Sequence, residues 1–281
     1  MNESNLCMLS FDIEDWFQVE NLREKVKREE WDDKELRVVK NTHKLLSILD
    51  RYNTKATFFV LGWVSEKVPQ LVLEIHNRGH EIACHGHGHE LIYNQTPDEF
   101  HKDIQQARLF LEKLIGEKIW GYRAPSFSIT EWAIDILKEE GFKYDSSLFP
   151  SIIHDRYGKL KSVKLNSKIG VEKVRDNFFE VSISTLDFMG KRIAWGGGGY
   201  FRILPYSLYR TGVRKILDAG KAFVFYLHPW EIDSLQPKVK NLEFRYRVRH
   251  YMGLSKTECK LNKLLQDFKF KTIRKGLKVL F

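Results

Sequence analysis

Hydrophobic and polar positions along this chain form two kinds of pattern, one typical of strands and one typical of helices, and the two alternate. Short apolar runs rich in aromatic and β-branched residues are typical of buried strands, and they alternate with stretches whose apolar residues recur at helical spacing. The sequence Thr96-Pro97-Asp98-Glu99 is a helix start, with a cap residue, a proline and acidic residues in the first turn. The predicted strands are 7–12, 56–61, 81–84, 120–123, 142–145, 179–183, 222–227 and 268–273, and the predicted helices are 38–51, 65–77, 96–115, 130–141, 205–219 and 258–268.

Two stretches have less regular patterns. Residues 150–180 are predicted to form loops and short strands. Trp195 to Phe201, W-G-G-G-G-Y-F, is predicted to be a flexible glycine-rich loop. This loop lacks the strand, lysine and helix context of a phosphate-binding loop, so nucleotide binding is not expected there.

The alternation of strands and helices predicts an α/β fold with parallel strands and crossover helices. Polar residues recur where the predicted strands end, and in a β/α barrel these ends converge on the face that carries the active site. We therefore expect a distorted (β/α) barrel with its chemistry on one face. The polar strand ends are Asp12 to Asp15, His85 to His89, Arg123, Asp145 and His228.

Length and composition limit the class of protein. The 281 residues, 43% of them apolar, suffice for one large domain or two small ones. We see neither an apolar run of the roughly 18 residues that span a bilayer nor the basic start of a signal peptide. We therefore expect a cytoplasmic protein or one at the inner face of a membrane. The three cysteines are scattered and odd in number, which indicates reduced thiols.

The positive charge of the chain is concentrated at its C-terminal end. Of the net charge of +9, residues 238–281 contribute +10, from 13 Lys/Arg and 3 Asp/Glu, so the rest sums to −1. A basic segment of this kind can attract an acidic glycan, an anionic membrane surface or nucleic acid. Nucleic acid is not expected, because no recognised nucleic-acid-binding motif is present.

We predict a barrel over 1–237 and a basic extension over 238–281. Helically spaced apolar residues should pack the extension on the barrel: Leu261, Leu264, Leu265 and Phe268.

Three histidines at alternate positions form the most distinctive cluster: His85, His87 and His89. In an extended strand the first and third would stand about 13 Å apart, too far to bind one ion. In a helical turn, positions i and i+4 face the same way, about 6 Å apart. A shared metal therefore requires the chain to turn after the strand, and glycines 86 and 88 allow such a turn. A polar loop with surface histidines is the alternative.

The motifs at the strand ends together resemble those of the polysaccharide deacetylase family, the NodB-homology carbohydrate esterases of family 4. The resemblance covers roughly residues 7–231, and the tail R-H-Y-M-G-L-S-K-T-E-C-K-L is similar to the C-terminal extension of a subgroup found in exopolysaccharide biosynthesis. It implies a distorted barrel and one divalent metal ion, usually Zn²⁺. The matching stretches are S-F-D-I-E-D-W-F, C-H-G-H-G-H-E-L-I-Y, G-Y-R-A-P-S-F-S-I, G-G-G-Y-F-R and H-P-W-E-I-D.

The resemblance also implies the metal ligands. His85 and His89 match the two histidine ligands of the family. The third ligand is usually an aspartate directly after the catalytic base, but here Ile13 follows Asp12. Isoleucine cannot bind metal, so the carboxylate would come from Asp15, which we favour, or from Glu14.

The catalytic roles follow from the same resemblance. Asp12 matches the general base, Arg123 the arginine that holds this carboxylate, and His228 the general acid. The Ser126 amide falls where the family places an oxyanion donor, and Asp145 would be the acid that orients His228. His87 would be in the pocket wall or directly behind the metal ligands. Four aromatic residues would stack on sugar rings: Trp16, Trp195, Tyr200 and Trp230.

These assignments imply metal-dependent removal of the acetyl group from an N-acetylated sugar in a polysaccharide or its precursor. An acetylated glycan, or a glycan precursor, is therefore the expected partner. Two alternatives remain open. One is an amidohydrolase of the same superfamily that acts on a small non-sugar amide, and the other is a non-catalytic glycan-binding protein, which the altered first motif favours.

Overall fold

The computed structural model describes residues 6–150, 158, 160, 170–188 and 190–280. Its centre is a nine-stranded, mainly parallel sheet with the strand order β10-β1-β2-β3-β4-β5-β7-β6, and β11 also pairs with β1. A separate hairpin is formed by β8 and β9. The strands are β1 (Cys7–Ile13), β2 (Thr57–Val60), β3 (Glu81–Cys84), β4 (Gly121–Tyr122), β5 (Tyr144–Asp145), β6 (Val171–Arg175), β7 (Phe178–Val181), β8 (Thr185–Phe188), β9 (Lys191–Ala194), β10 (Phe223–Leu227) and β11 (Phe270–Lys271).

Crossover helices connect most of the parallel strands, because parallel neighbours cannot be joined by tight hairpins. The predicted start of the longest helix is confirmed, since Thr96 accepts from the Glu99 amide and Glu99 accepts from the Thr96 amide in return. The helices are α1 (Val38–Arg51), α2 (Gly62–Lys67), α3 (Pro69–Asn77), α4 (Pro97–Ile115), α5 (Glu131–Glu139), α6 (Gly198–Ile203), α7 (Tyr206–Asp218), α8 (Phe244–Tyr251), α9 (Leu254–Asp267) and α10 (Ile273–Leu280).

The strand β1 lies at the centre of the sheet. It pairs in parallel with β10 along one edge, where Phe11 faces Leu227, and with β2 along the other, where Asp12 faces Phe59. Every residue of β1 is buried. Because β1, β2, β3, β4 and β10 run in one direction, their carboxyl ends meet at one edge of the curled sheet. The α/β fold of the predicted type is therefore confirmed.

Several elements differ from the sequence-based prediction. The helix predicted over 65–77 is two helices, because Pro69 starts a new one after Val68. The stretch predicted as a flexible glycine-rich loop contains the start of α6, which begins at Gly198. The β8–β9 hairpin, α8 and α10 were not predicted. Part of the uncertain stretch 150–180 lies outside the described residues.

The C-terminal segment packs on the barrel through the apolar face of α9. Leu261, Leu264 and Leu265 are buried in the main hydrophobic core, and Phe268 lies at its edge. Lys260 donates to the carbonyl oxygens of Phe201, Arg202 and Leu204, which ties α9 to the end of α6. Within the described part of the chain, no helix is long and apolar enough to cross a membrane.

Candidate active site

The carboxyl ends of four strands place ionisable side chains around one small cavity. Asp12 lies near the end of β1, His85 follows β3, Arg123 follows β4 and His228 follows β10. The cavity has a volume of about 100 Å³. Its lining includes Asp12, Glu14, His85, His89, Ser126, Trp230, His228 and Arg249. The convergence expected from the sequence is therefore present for these strand ends.

Glu14, His85 and His89 form a group suited to bind a metal ion. One ligand atom from each residue lies within 4.8 Å of the other two, and all three side chains are buried. His89 Nε2 and Glu14 Oε2 are 2.7 Å apart without hydrogen-bond geometry, so this oxygen has no hydrogen-bond partner among the described residues. A buried carboxylate oxygen without a partner is costly, and a cation would satisfy it. Two imidazoles and one carboxylate are a common zinc-binding set.

The backbone turns after β3, as a shared site requires. Gly86 has a φ of 72° and His89 a φ of 54°, both in the left-handed region. His85 Nδ1 lies 2.8 Å from the Arg123 carbonyl oxygen, which can only accept a hydrogen bond. His85 therefore carries its proton on Nδ1 and presents the lone pair of Nε2 to the cavity. Burial lowers the pKa of His85 to about 4, which keeps the imidazole neutral and able to bind metal.

Glu14 is ionised in this setting. Burial alone would raise the pKa of Glu14, but the neighbouring His89, His228 and His85 lower it to about 2. The carboxylate is therefore negatively charged at neutral pH and needs no deprotonation before it binds a cation.

Asp15, the carboxylate preferred in the sequence analysis, lies elsewhere. Its Oδ2 accepts hydrogen bonds from the amides of Arg37 and Val38, at 2.6 and 2.8 Å, and its Oδ1 accepts from the Trp16 amide at 2.8 Å. The side chain therefore caps the N-terminus of α1, where a negative charge is favourable. Both oxygens are occupied there, so the geometry favours Glu14, the alternative, over Asp15.

Asp12 and Arg123 form a buried ion pair. Arg123 Nη1 donates to Asp12 Oδ1 at 2.6 Å, and both side chains are almost inaccessible to solvent. Nη1 also donates to Ser10 Oγ, while Nε and Nη2 donate to the carbonyl and hydroxyl oxygens of Ser146. Because all three guanidinium nitrogens of Arg123 form hydrogen bonds, the Asp12 carboxylate has a fixed orientation, with Oδ2 left on the side of His228, 3.8 Å from Nε2.

His228 is held by Glu231, three residues later on the short helix that follows β10. Its Nδ1 donates to Glu231 Oε1 at 2.8 Å, and its Nε2 lies 3.3 Å from Glu14 Oε1. Burial would lower the pKa of His228, but Glu14 and Glu231 raise it to about 9. The imidazole is therefore protonated at neutral pH and presents an N–H to the cavity.

Glu231 is fixed in turn by Arg202 of α6. Arg202 Nε lies 2.8 Å from Glu231 Oε2, and both side chains are buried. Burial raises the pKa of Glu231, but Arg202 and His228 lower it overall. The chain from Arg202 through Glu231 to His228 therefore keeps the carboxylate charged and the imidazole oriented.

Asp145 does not hold His228, contrary to the sequence-based expectation. Its oxygens accept hydrogen bonds from the hydroxyl and amide of Ser147, at 2.5 and 3.2 Å, and it faces the carboxyl group of Glu180. Burial raises the pKa of both carboxyl groups, consistent with one shared proton. Ser147 Oγ also accepts from the Ala124 amide, so Asp145 supports the loop after Arg123.

The other predicted site residues divide between the cavity and its surroundings. Ser126 lines the cavity and has a φ of 50°, a left-handed conformation that turns the loop after Arg123. Trp230 also lines it and stacks on His228, with ring centroids 5.3 Å apart. Tyr200 lines an adjoining cavity, whereas Trp16 is buried in the core with its indole donating to the Glu35 carbonyl oxygen.

His87, expected in the pocket wall, points away from the cavity. Its Nε2 contacts Glu66 and Gln106 on the outer side of α2 and α4. The middle histidine of the cluster therefore makes surface contacts, while its two neighbours turn inward.

Two functional residues were missed by the sequence analysis. Glu231 stands three residues after His228 with a proline between them, a spacing typical of a capping box, and this signal was present in H-P-W-E. Arg202 left no comparable signal, because its role depends on the packing of α6 against the loop after β10.

Comparisons with known proteins identify two regions. Residues 22–144 match the family model described as polysaccharide deacetylase, and residues 146–278 match a domain of unknown function, DUF3473. The first region contains His85, His89 and Arg123, the second contains His228, and the segment with Asp12 and Glu14 precedes both. The chain thus carries a polysaccharide deacetylase domain followed by a DUF3473 domain.

Curated relatives match only a part of the chain. A peptidoglycan-N-acetylglucosamine deacetylase of Bacillus cereus is 31% identical over 120 residues, 37% of this chain and 44% of that protein. A peptidoglycan deacetylase of Helicobacter pylori is 30% identical over 105 residues, 37% of this chain and 36% of that protein. The chain spans less than half the length of these relatives.

Solved structures support the fold over nearly the whole chain. A Mycobacterium smegmatis protein proposed to be a polysaccharide deacetylase has a TM-score of 0.62 at 21% identity, with 98% of this chain and 90% of that chain covered. A family 4 carbohydrate esterase pseudoenzyme of Bacillus anthracis has a TM-score of 0.52 at 12% identity, with 99% and 66% covered. Since this fold accommodates a pseudoenzyme, activity has to be argued from the site.

Proposed function

We propose that this protein, which carries a polysaccharide deacetylase domain, is a metal-dependent deacetylase that hydrolyses the N-acetyl group of an amino sugar in a glycan or its precursor. The observation that carries the proposal is that the Glu14, His85 and His89 group lies beside the imidazole of His228, whose Nε2 is 3.3 Å from Glu14 Oε1 and 3.8 Å from Oδ2 of the oriented carboxylate Asp12. The peptidoglycan deacetylases among its relatives are consistent with this substrate class.

Glu14, His85 and His89 would hold one divalent cation, with Zn²⁺ the best match to two imidazoles and a carboxylate. The bound ion would supply Lewis acidity at the acetyl carbonyl. Side chains and a backbone amide of this protein would provide proton transfer and stabilisation of the oxyanion.

Proton transfer would be divided between two side chains. Asp12 would accept a proton from the attacking water, while the hydrogen bond from Arg123 aims this carboxylate at the cavity. His228 would donate its Nε2 proton to the departing amine, and Glu231 would stabilise the imidazolium before that step. The Ser126 amide would donate to the developing oxyanion.

The altered first motif does not remove the metal site. Ile13 is buried in β1 and cannot be a ligand, but the chain turns so that Glu14, one residue later, reaches the two histidines. The longer glutamate side chain replaces the expected aspartate from a different backbone position. This geometry favours catalysis over the non-catalytic glycan-binding alternative, which rests on the same substitution.

The test measures three quantities for protein loaded with Zn²⁺, with and without a chelator: acetate release from a panel of N-acetylated and O-acetylated glycans, ring opening of small cyclic amides, and binding of the glycans. Acetate released from an N-acetylated glycan and suppressed by the chelator supports the proposal. Hydrolysis of the cyclic amides alone would identify the small-amide alternative, and glycan binding without hydrolysis would identify the non-catalytic one. Binding to an anionic membrane surface remains a prediction from the basic segment.

A further inference from the structure

A second cavity adjoins the proposed active site. Its volume is about 340 Å³, within the range of roughly 300–1,000 Å³ that is typical of ligand pockets. Tyr200 and the glycine-rich segment 197–199 form one wall, and Trp230 and His228 form the boundary with the first cavity. A ligand that places one group at His228 can therefore extend directly into this space. Aromatic side chains in its lining suit a sugar ring, which has apolar faces.

Arg249 lies at the junction of the two cavities and contributes to the lining of both. It belongs to α8, a helix of the basic C-terminal segment. Arg202 anchors the C-terminal end of this helix. Its Nη2 donates to the Arg249 carbonyl oxygen at 2.7 Å, and its Nη1 donates to the His250 carbonyl oxygen at 2.8 Å. The backbone of Arg249 is therefore held, and its side chain projects from a fixed position.

The guanidinium of Arg249 lacks a counter-ion in the described part of the chain, where no Asp or Glu oxygen within 4.0 Å pairs with it. The neighbouring acids already have partners: Glu231 pairs with Arg202 at 2.8 Å, and Glu20 with Arg23 at 3.7 Å. Arg249 also acts as a like charge on the buried Arg202, whose pKa is lowered first by burial and further by this neighbour. An anion at the junction would offset this repulsion.

We propose that Arg249 is a specificity-determining residue that binds an anionic substituent, a carboxylate on the glycan unit next to the N-acetyl sugar or a phosphate on the N-acetyl sugar itself. The planar guanidinium fork matches both groups in bidentate geometry. This inference rests on the proposed function, because it identifies acidic glycans as the substrate class of the same site. It also gives the basic segment a defined role at the substrate.

The test compares Arg249→Gln with a control variant on the same helix. Arg247→Gln removes the same charge two residues away, from an exposed side chain that lines neither cavity. Both substitutions retain the backbone contacts of α8, so both proteins should fold. The probes are two matched pairs: a hyaluronan tetrasaccharide against tetra-N-acetylchitotetraose, and N-acetylglucosamine 1-phosphate against N-acetylglucosamine.

We expect wild-type protein loaded with Zn²⁺ to prefer the charged member of at least one pair, by kcat/KM of acetate release. Arg249→Gln should reduce this kcat/KM by about 10- to 100-fold, which corresponds to the loss of a charge-assisted hydrogen bond of about 1.5–3 kcal/mol. Its kcat/KM on the neutral member should fall much less than on the charged member, so that the preference is lost, and Arg247→Gln should retain the preference. A preference within the first pair identifies a carboxylate, and one within the second identifies a phosphate.

Binding measurements separate this inference from the proposed function. Titration calorimetry of the four probes into Zn²⁺-loaded Asp12→Asn protein, with and without Arg249→Gln, reports affinity without turnover. If Arg249→Gln loses affinity for the charged probes, the role of Arg249 is supported, whether or not any probe releases acetate. The absence of acetate release from every probe would overturn only the proposed function. Acetate release with equal kcat/KM for charged and neutral probes, or an unchanged preference in Arg249→Gln, would overturn the inference alone.

Discussion

His228 Nδ1 and Glu231 Oε1 are 2.8 Å apart, and the same Glu231 oxygen accepts the His228 backbone amide at 3.1 Å. One carboxylate oxygen therefore fixes both the ring and the backbone of the proposed general acid. The second oxygen forms a buried ion pair with Arg202 at 2.8 Å, so rotation of the carboxylate would break this pair. The orientation of His228 thus depends on a residue only three positions along the chain.

Glu231→Gln should lower kcat for acetate release by about tenfold or more, with little change in KM. The amide can still accept from Nδ1, but it no longer stabilises the imidazolium, and the full contribution of a general acid is about 10²–10⁴-fold. Steady-state kinetics and zinc content measure the effect. Glu243→Gln, an exposed carboxylate paired with Arg245, is the control and should be neutral. A fall in kcat in proportion to a loss of zinc would mean that Glu231 supports the metal site and not the acid.

Glu14→Gln and Asp15→Asn should have opposite effects on metal content and stability. Glu14→Gln should lose most of the bound zinc, because an amide is a weaker ligand than the carboxylate that faces His89 at 2.7 Å. Asp15→Asn should retain zinc but lower the free energy of unfolding by about 1–2 kcal/mol, since it weakens the cap of α1. Elemental analysis and urea unfolding of both variants measure this. Zinc loss in Asp15→Asn alone would restore the assignment favoured by the sequence.

Arg202→Met should lower the free energy of unfolding by about 3–5 kcal/mol, because it removes the arginine from a buried ion pair and leaves His228 as the remaining partner of the Glu231 carboxylate. It also removes the donors that hold the carbonyl oxygens of Arg249 and His250. Amide hydrogen exchange should therefore become faster in α8 than in α1. Arg245→Met, at an exposed position of α8, should change stability by no more than about 0.5 kcal/mol. Equal exchange in α8 of the wild type and Arg202→Met would contradict the anchoring role.

The buried His80 should make stability depend on pH below neutrality. Its Nδ1 accepts from the Ala56 amide, and burial lowers its pKa from 6.5 to about 4. The unfolded chain therefore binds a proton between these pH values while the folded chain does not, so stability falls as pH decreases from about 6.5. At pH 5 the loss should be up to about 2 kcal/mol relative to pH 8.

Urea unfolding of the metal-free protein at pH 5 and pH 8 tests the contribution of His80. The difference between the two values should be smaller in His80→Asn than in the wild type. His43→Asn, at an exposed position of α1, should retain the wild-type difference. An unchanged pH dependence in His80→Asn would show that other groups cause it.

The sequence predicted the parts of this site that depend on local pattern. The spacing of His85 and His89 required a turn, and the left-handed Gly86 provides it. The pairing of Asp12 with Arg123 followed from the family resemblance, and the two side chains are 2.6 Å apart. By contrast, the choice between Glu14 and Asp15 depends on which side chain caps α1, a tertiary contact with residues more than 20 positions away. The partner of His228 was misassigned to Asp145 for the same reason, because the fold pairs that carboxyl group with Glu180.

The proposed metal-dependent deacetylation is tested by acetate release from an N-acetylglucosamine oligomer and from a hyaluronan tetrasaccharide. The wild type and Asp12→Asn are both loaded with Zn²⁺, and the zinc content of the same samples is determined. We predict that the wild type releases acetate, and that Asp12→Asn keeps one zinc ion and its fold but loses about 10²–10⁴-fold in kcat. Wild-type protein with full zinc content that releases no acetate, or Asp12→Asn with the kcat of the wild type, would contradict the account.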